Sequence, residues 1–79
     1  MERGLPQHEE LRQLLRERRF RANLTQRQLA DKLGWNQRTI SKIESGSKRV
    51  SVVELIELAA ALGFDPAAAL RRVAKAAKR

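Results

Sequence analysis

Two short helical patterns joined by a tight turn, residues 25–45 (TQRQLADKLGWNQRTISKIES), restrict what this chain can become more than any other feature. Thr25 and Gln28 have the spacing of a capping box, in which each side chain satisfies a backbone N–H of the other residue. Leu29, Ala30 and Leu33 then fall at i, i+1 and i+4, an apolar stripe with helical spacing. Gly34 ends that helix, because glycine enters the left-handed conformation of a C-terminal turn at little cost. Asn36 is placed to cap a second helix, in which Ile40 and Ile43 are the only large apolar residues and share one side.

The other side of the second helix carries the information about function. Gln37, Arg38, Ser41, Lys42 and Ser45 project away from the isoleucines. That face holds amides, cations and hydroxyls with no carboxylate at its centre. It suits a partner rich in acceptors and negative charge. The DNA major groove is such a partner, since it admits a helix and its base edges are read by Arg, Lys, Gln and Thr side chains. The charge balance agrees: 17 basic against 9 acidic residues, net +8, with a pI of about 11.4, which favours a polyanion such as nucleic acid or an anionic membrane.

Residues 26–45 resemble the helix-turn-helix of the phage repressor and Cro type, the XRE family. The resemblance rests on Ala30 where the two helices cross, on Gly34 in the turn, and on Leu29, Leu33, Trp35, Ile40 and Ile43 at the family's core positions. The flanking segments agree: Arg19 before, Glu44-Ser45-Gly46 after, then residues 58–63 (LAAALG). It covers roughly residues 10 to 66. It implies an all-α, compact, five-helix lambda-repressor-like DNA-binding domain. It further implies an ion pair between Arg19 and Glu44, and a contact from Gln26 to the DNA backbone. From the sequence alone, Arg19 has the alternative of snorkelling to solvent, and Gln26 that of a plain helix-start residue.

Around this motif, residues 1–7 (MERGLPQ) read as a loose arm and 8–79 as one helical domain. A first helix is expected over 8–22, with Leu11, Leu14, Leu15 and Ala22 on its apolar side, Phe20 near its end, and Arg12, Arg16, Glu17 and Arg21 facing out. Trp35 is expected under the turn in preference to stacking on bases, for which the chain has too few aromatics. Lys48 and Arg49 form a basic loop, either solvated or reaching phosphates. Ser51 and Glu54 begin a helix over 52–62, whose apolar residues Val52, Leu55, Ile56, Leu58, Ala59 and Leu62 are expected to be well buried. Asp65-Pro66 begins the last helix, 66–78, with Leu70, Val73, Ala74 and Ala77 as a stripe among cations. That helix closes the core and provides a dimer interface, or closes the core and frays, or lies on a membrane.

Nothing points to catalysis. There is no cysteine and a single histidine, His8, so no metal cluster is expected. The glycines lack the spacing of a phosphate-binding loop, and no cofactor is expected. No apolar run of ~18 residues and no signal peptide is visible, so the chain is expected in the cytoplasm and off the membrane. The favoured function is a homodimeric, sequence-specific regulator of double-stranded DNA, a repressor or autoregulator on a near-palindromic operator. Gln37, Arg38, Thr39, Ser41 and Lys42 would read bases, while Gln26, Ser45, Lys48 and Arg49 would hold the backbone. Two other classes remain: an antitoxin-like module whose main partner is a protein, and a general RNA or single-strand binder.

Overall fold

The computed structural model describes residues 5–76. Five helices follow one another: α1 (Pro6–Arg21), α2 (Gln26–Leu33), α3 (Gln37–Ser45), α4 (Val52–Leu62) and α5 (Pro66–Ala76). Their ends are set by local chemistry. Thr25 Oγ1 accepts the Gln28 N–H at 3.0 Å and Gln28 Oε1 accepts the Thr25 N–H at 2.9 Å. Ser51 and Glu54 repeat this reciprocal cap at α4, with distances of 3.1 and 2.8 Å. Asn36 Oδ1 takes the Arg38 N–H at 2.8 Å, and Asp65 Oδ1 takes the Ala67 N–H at 3.0 Å. After α2 the backbone turns left-handed at Gly34 (φ 73°), so the Trp35 N–H closes back on the Ala30 carbonyl at 2.8 Å.

The core joins all five helices through Leu14 and Leu15 of α1, Leu29 and Ala30 of α2, Ile40 and Ile43 of α3, Leu55 and Leu58 of α4, and Ala69 of α5. Leu24, Leu33, Trp35 and Phe64 close its edges, half-buried. α3 packs on both α1 and α2, α4 on α2, and α5 mainly on α1. The motif is therefore held from behind by the long first helix.

Several expectations are corrected. α1 starts at Pro6 and not at residue 8, because proline is pre-set for a first helical position where no N–H is needed. Ala22 is the exposed cap residue of α1 and not part of its apolar side. Phe20 is exposed, with the Arg16 and Arg19 guanidinium groups 5.5 and 4.6 Å from its ring centroid. In α4 the buried residues are Leu55, Leu58 and Ala59, whereas Val52, Val53 and Ile56 are 70%, 66% and 53% exposed. The helix has neighbours on one side only. In α5 the inward residues are Ala69 and Ala76, with Val73 half-buried, while Leu70 and Ala74 face out; Ala77 lies outside the described residues. Small alanines let α5 approach α1 closely, and Arg72 then reaches Glu10 at 2.5 Å and Glu17 at 3.0 Å.

Candidate nucleic-acid interface

α3 presents Gln37, Arg38, Ser41, Lys42 and Ser45 to solvent, while Ile40 and Ile43 are 2% and 3% exposed beneath them. Among the described residues, no acceptor takes the Arg38 guanidinium or the Lys42 ammonium, so both cations are available to a partner. Thr39 is half-buried on the flank of the helix, to one side of the outward face. Ser45 Oγ donates to the Lys42 carbonyl at 3.1 Å, which ties this hydroxyl to the end of its own helix.

Glu44 holds this face in place. It is buried, yet its carboxylate is fully engaged. Arg19 donates to Oε2 through Nε at 2.6 Å and to Oε1 through its terminal nitrogen at 2.9 Å. Gln26 Nε2 donates to the same Oε1 at 3.1 Å. The Arg19 guanidinium also donates to the Leu24 carbonyl at 2.8 Å, so neither buried charge is left without partners. Burial alone would raise the Glu44 carboxyl. The hydrogen bonds from Arg19 and Gln26, and the fields of Arg19 and Arg16, outweigh it and hold the group below the ordinary range.

Gln26 extends the chain of bonds forward. Its Oε1 accepts from Gln37 Nε2 at 3.3 Å. One network therefore runs from Arg19 on α1 through Glu44 and the start of α2 to the first residue of α3. Gln26, Arg19, Glu44 and Gln37 come together; Lys48 does not join them. Lys48 Nζ bonds both Glu54 oxygens at 3.1 Å and the Arg49 carbonyl at 3.0 Å, folding back on the α4 cap, while Arg49 is exposed. The Glu54 carboxyl lies below its usual range, first through the Ser51 backbone N–H and then through Lys48.

Sequence reasoning missed Arg12. It was expected in solvent, yet it donates to the Glu44 carbonyl at 2.7 Å. The available signal was its position seven residues before Arg19, on nearly the same face of α1. Among the described residues there is no group of three His, Cys, Asp or Glu side chains that could hold a metal, and no helix long and apolar enough to cross a membrane.

A family profile described as a helix-turn-helix domain matches residues 10–77. Among solved structures, an XRE-family like protein from Pseudomonas syringae pv. tomato str. DC3000 superposes with a TM-score of 0.81 at 35% identity, over 87% of this chain and 84% of that one. No curated protein matches the chain.

Proposed function

Because this chain belongs to the XRE family of helix-turn-helix DNA-binding regulators, we propose that it reads a specific near-palindromic operator as a homodimer, as a repressor or autoregulator. The observation that carries this reading is the outward face of α3. Its charged side chains, Arg38 and Lys42, are both cations, and the helix is fastened to the rest of the domain through Gln26 and Glu44. Arg38 and Gln37 are the side chains best suited to paired hydrogen bonds with base edges. Ser41 and Lys42 extend the readout, and Thr39 takes part from the flank. Gln26 and Arg27 stand in the first turn of α2, where free backbone N–H groups and the helix dipole favour a phosphate. Arg49 is the principal loop contact. Lys48, shared with Glu54, contributes less, and Ser45 borders the same path.

A single recognition helix covers only a few base pairs, and two-fold dimers bind half-sites about one helical turn, ~34 Å, apart. Of the stripe Leu70, Val73, Ala74 and Ala77 on α5, a candidate for the dimer contact, Val73 is half-buried while Leu70 and Ala74 are exposed. The larger exposed apolar area is on α4, at Val52, Val53 and Ile56, immediately after the basic loop. We assign a second copy of the chain to that face. Recovery of a different protein in stoichiometric amounts would favour an antitoxin-like role instead.

The deciding experiment is equilibrium binding to the DNA upstream of the chain's own gene, at two salt concentrations, against a scrambled duplex of equal length. Preference by ~10³-fold or more supports an autoregulatory DNA reader. Equal binding that collapses with salt rejects operator recognition at that site.

A further inference from the structure

Glu44 is fastened to α1 at two separate points. Arg19 takes the carboxylate, and the Arg12 guanidinium donates to the backbone carbonyl at 2.7 Å. The two arginines are two turns apart on α1, roughly 10 Å along its axis. The carbonyl lies in the last turn of α3, where a helix has no donors of its own left to offer. Its neighbours find local ones: the Gly46 N–H reaches Ile43 at 3.2 Å, and the Ser47 and Lys48 N–H groups reach Lys42 at 3.0 and 3.1 Å. The Glu44 carbonyl has its donor from 32 residues away in sequence.

The surroundings are fitted to this bond. Glu9 takes the other edge of the Arg12 guanidinium, with Nε at 3.2 Å from Oε1. The Arg12 side chain passes beside Gly46, which has φ +90°: a Cβ there would stand in van der Waals contact, 3.4 Å from Arg12 Nε and 3.5 Å from Cδ. A guanidinium at a helix C-terminus also meets the negative end of the dipole.

We propose that Arg12 is a positioning residue for base readout, fixing the pitch of α3 against α1; this rests on the DNA-reading function above. Ile40 and Ile43 seat α3 in the core, but apolar packing is non-directional and the Glu44 carboxylate ties the helix to α1 through a rotatable side chain. The second bond falls on the backbone itself and restricts the remaining tilt. Arg38 lies six residues from Glu44, ~9 Å along the helix. A tilt of ~10° about Glu44 would therefore displace it by ~1.5 Å, beyond the ~0.5 Å that a preorganised site tolerates.

The test uses the full chain with Arg12→Met, which keeps the aliphatic stem over Gly46, and Arg12→Lys, which keeps a donor able to reach the carbonyl. The probes are a duplex selected by the wild type from a random library and a scrambled control, at a temperature where circular dichroism shows every variant folded. Arg12→Met should lose about tenfold in affinity for the selected duplex, the scale of one misread base pair. Its affinity for the control should fall much less, and Arg12→Lys should recover most of the loss. Equal losses on both duplexes, with the salt slope lower by about one, would make Arg12 a phosphate contact and overturn the proposal. A second arm needs no DNA. Nuclear Overhauser contacts between α1 and the last turn of α3 should weaken in the free Met variant, and unchanged contacts overturn the proposal. If the wild type selects no duplex at all, operator reading fails, and this arm still decides whether Arg12 holds α3.

Discussion

Gln37 donates its side-chain amide to Gln26 at 3.3 Å, joining the first residue of α3 to the first residue of α2. Gln26 passes the connection to the buried carboxylate of Glu44 at 3.1 Å. A side chain on the outward face of α3 is thus oriented by one at the start of α2, and that one by an ion pair in the core. The two glutamines should act as a unit on DNA. Replacing either by Ala should weaken binding to the preferred duplex. A double-mutant cycle should give a coupling of ~0.5–3 kcal/mol, as for residues in one network. Strict additivity would mean that the bridge opens when DNA binds.

Breaking the Arg19–Glu44 pair should be costly. Both side chains are less than one-tenth exposed, so Glu44→Ala leaves a guanidinium buried with little compensation. The expected loss is ~3–5 kcal/mol, read as a shift of the urea unfolding midpoint. A loss below ~1 kcal/mol would show that Arg19 escapes to solvent once its partner is gone.

Acid should unfold the domain through the same carboxylate. The Glu44 carboxyl lies below its ordinary value when folded, while an unfolded glutamate titrates near ~4.3. The unfolded chain therefore binds the proton first as pH falls. Stability from this group is fully present above the unfolded value and is lost as pH drops through the folded one. Glu17 and Glu54 are shifted in the same direction. Urea midpoints from pH 7 to pH 2 should fall steeply below ~4.5, and Glu44→Gln should flatten that dependence. An unchanged slope in Glu44→Gln would assign the acid sensitivity to other groups.

Two glycines test the cost of a left-handed turn. Gly34 and Gly46 both adopt left-handed conformations, with φ +73° and +90°, but only a Cβ at Gly46 meets a neighbour, Arg12. Gly34→Ala should cost the left-handed penalty alone, ~1–2 kcal/mol. Gly46→Ala should cost about the same, since its Cβ would make only ordinary van der Waals contact with Arg12, at 3.4 Å from Nε, and thermal denaturation should rank the two variants together. A markedly less stable Gly46→Ala would show that Arg12 is held too firmly to give way.

Dimerisation, if it uses α4, should be removable without unfolding. Ile56 is 53% exposed, so Ile56→Glu should change the monomer's stability by no more than ~0.5 kcal/mol. Sedimentation equilibrium should show the wild type as a dimer and the variant as a monomer. A dimer that survives Ile56→Glu would return the interface to the outward side of α5, at Leu70 and Ala74.

The features legible in the residues alone were local. The reciprocal caps at Thr25 and Ser51, the Asn36 and Asp65 caps and the left-handed turn at Gly34 involve groups a few residues apart. Their chemistry is complete within a short window, and so the motif and the all-α class were legible. Apolar spacing also marked Leu29, Ile40 and Ile43 correctly, because a short helix with one narrow stripe has one side to bury. Other features depend on where distant helices pack. α4 has apolar residues around more than half its circumference, so composition could not say which would stay exposed; only the placement of α2, α1 and α5 leaves Val52, Val53 and Ile56 in water. α5 turns Ala69 and Ala76 inward and leaves Leu70 exposed, with Arg72 paired to Glu10 and Glu17 of α1, a choice of face that depends on where α1 lies. The shared face of Arg12 and Arg19 was visible in the sequence, but the partner of Arg12, a backbone carbonyl 32 residues away, is met only when α1 crosses the end of α3.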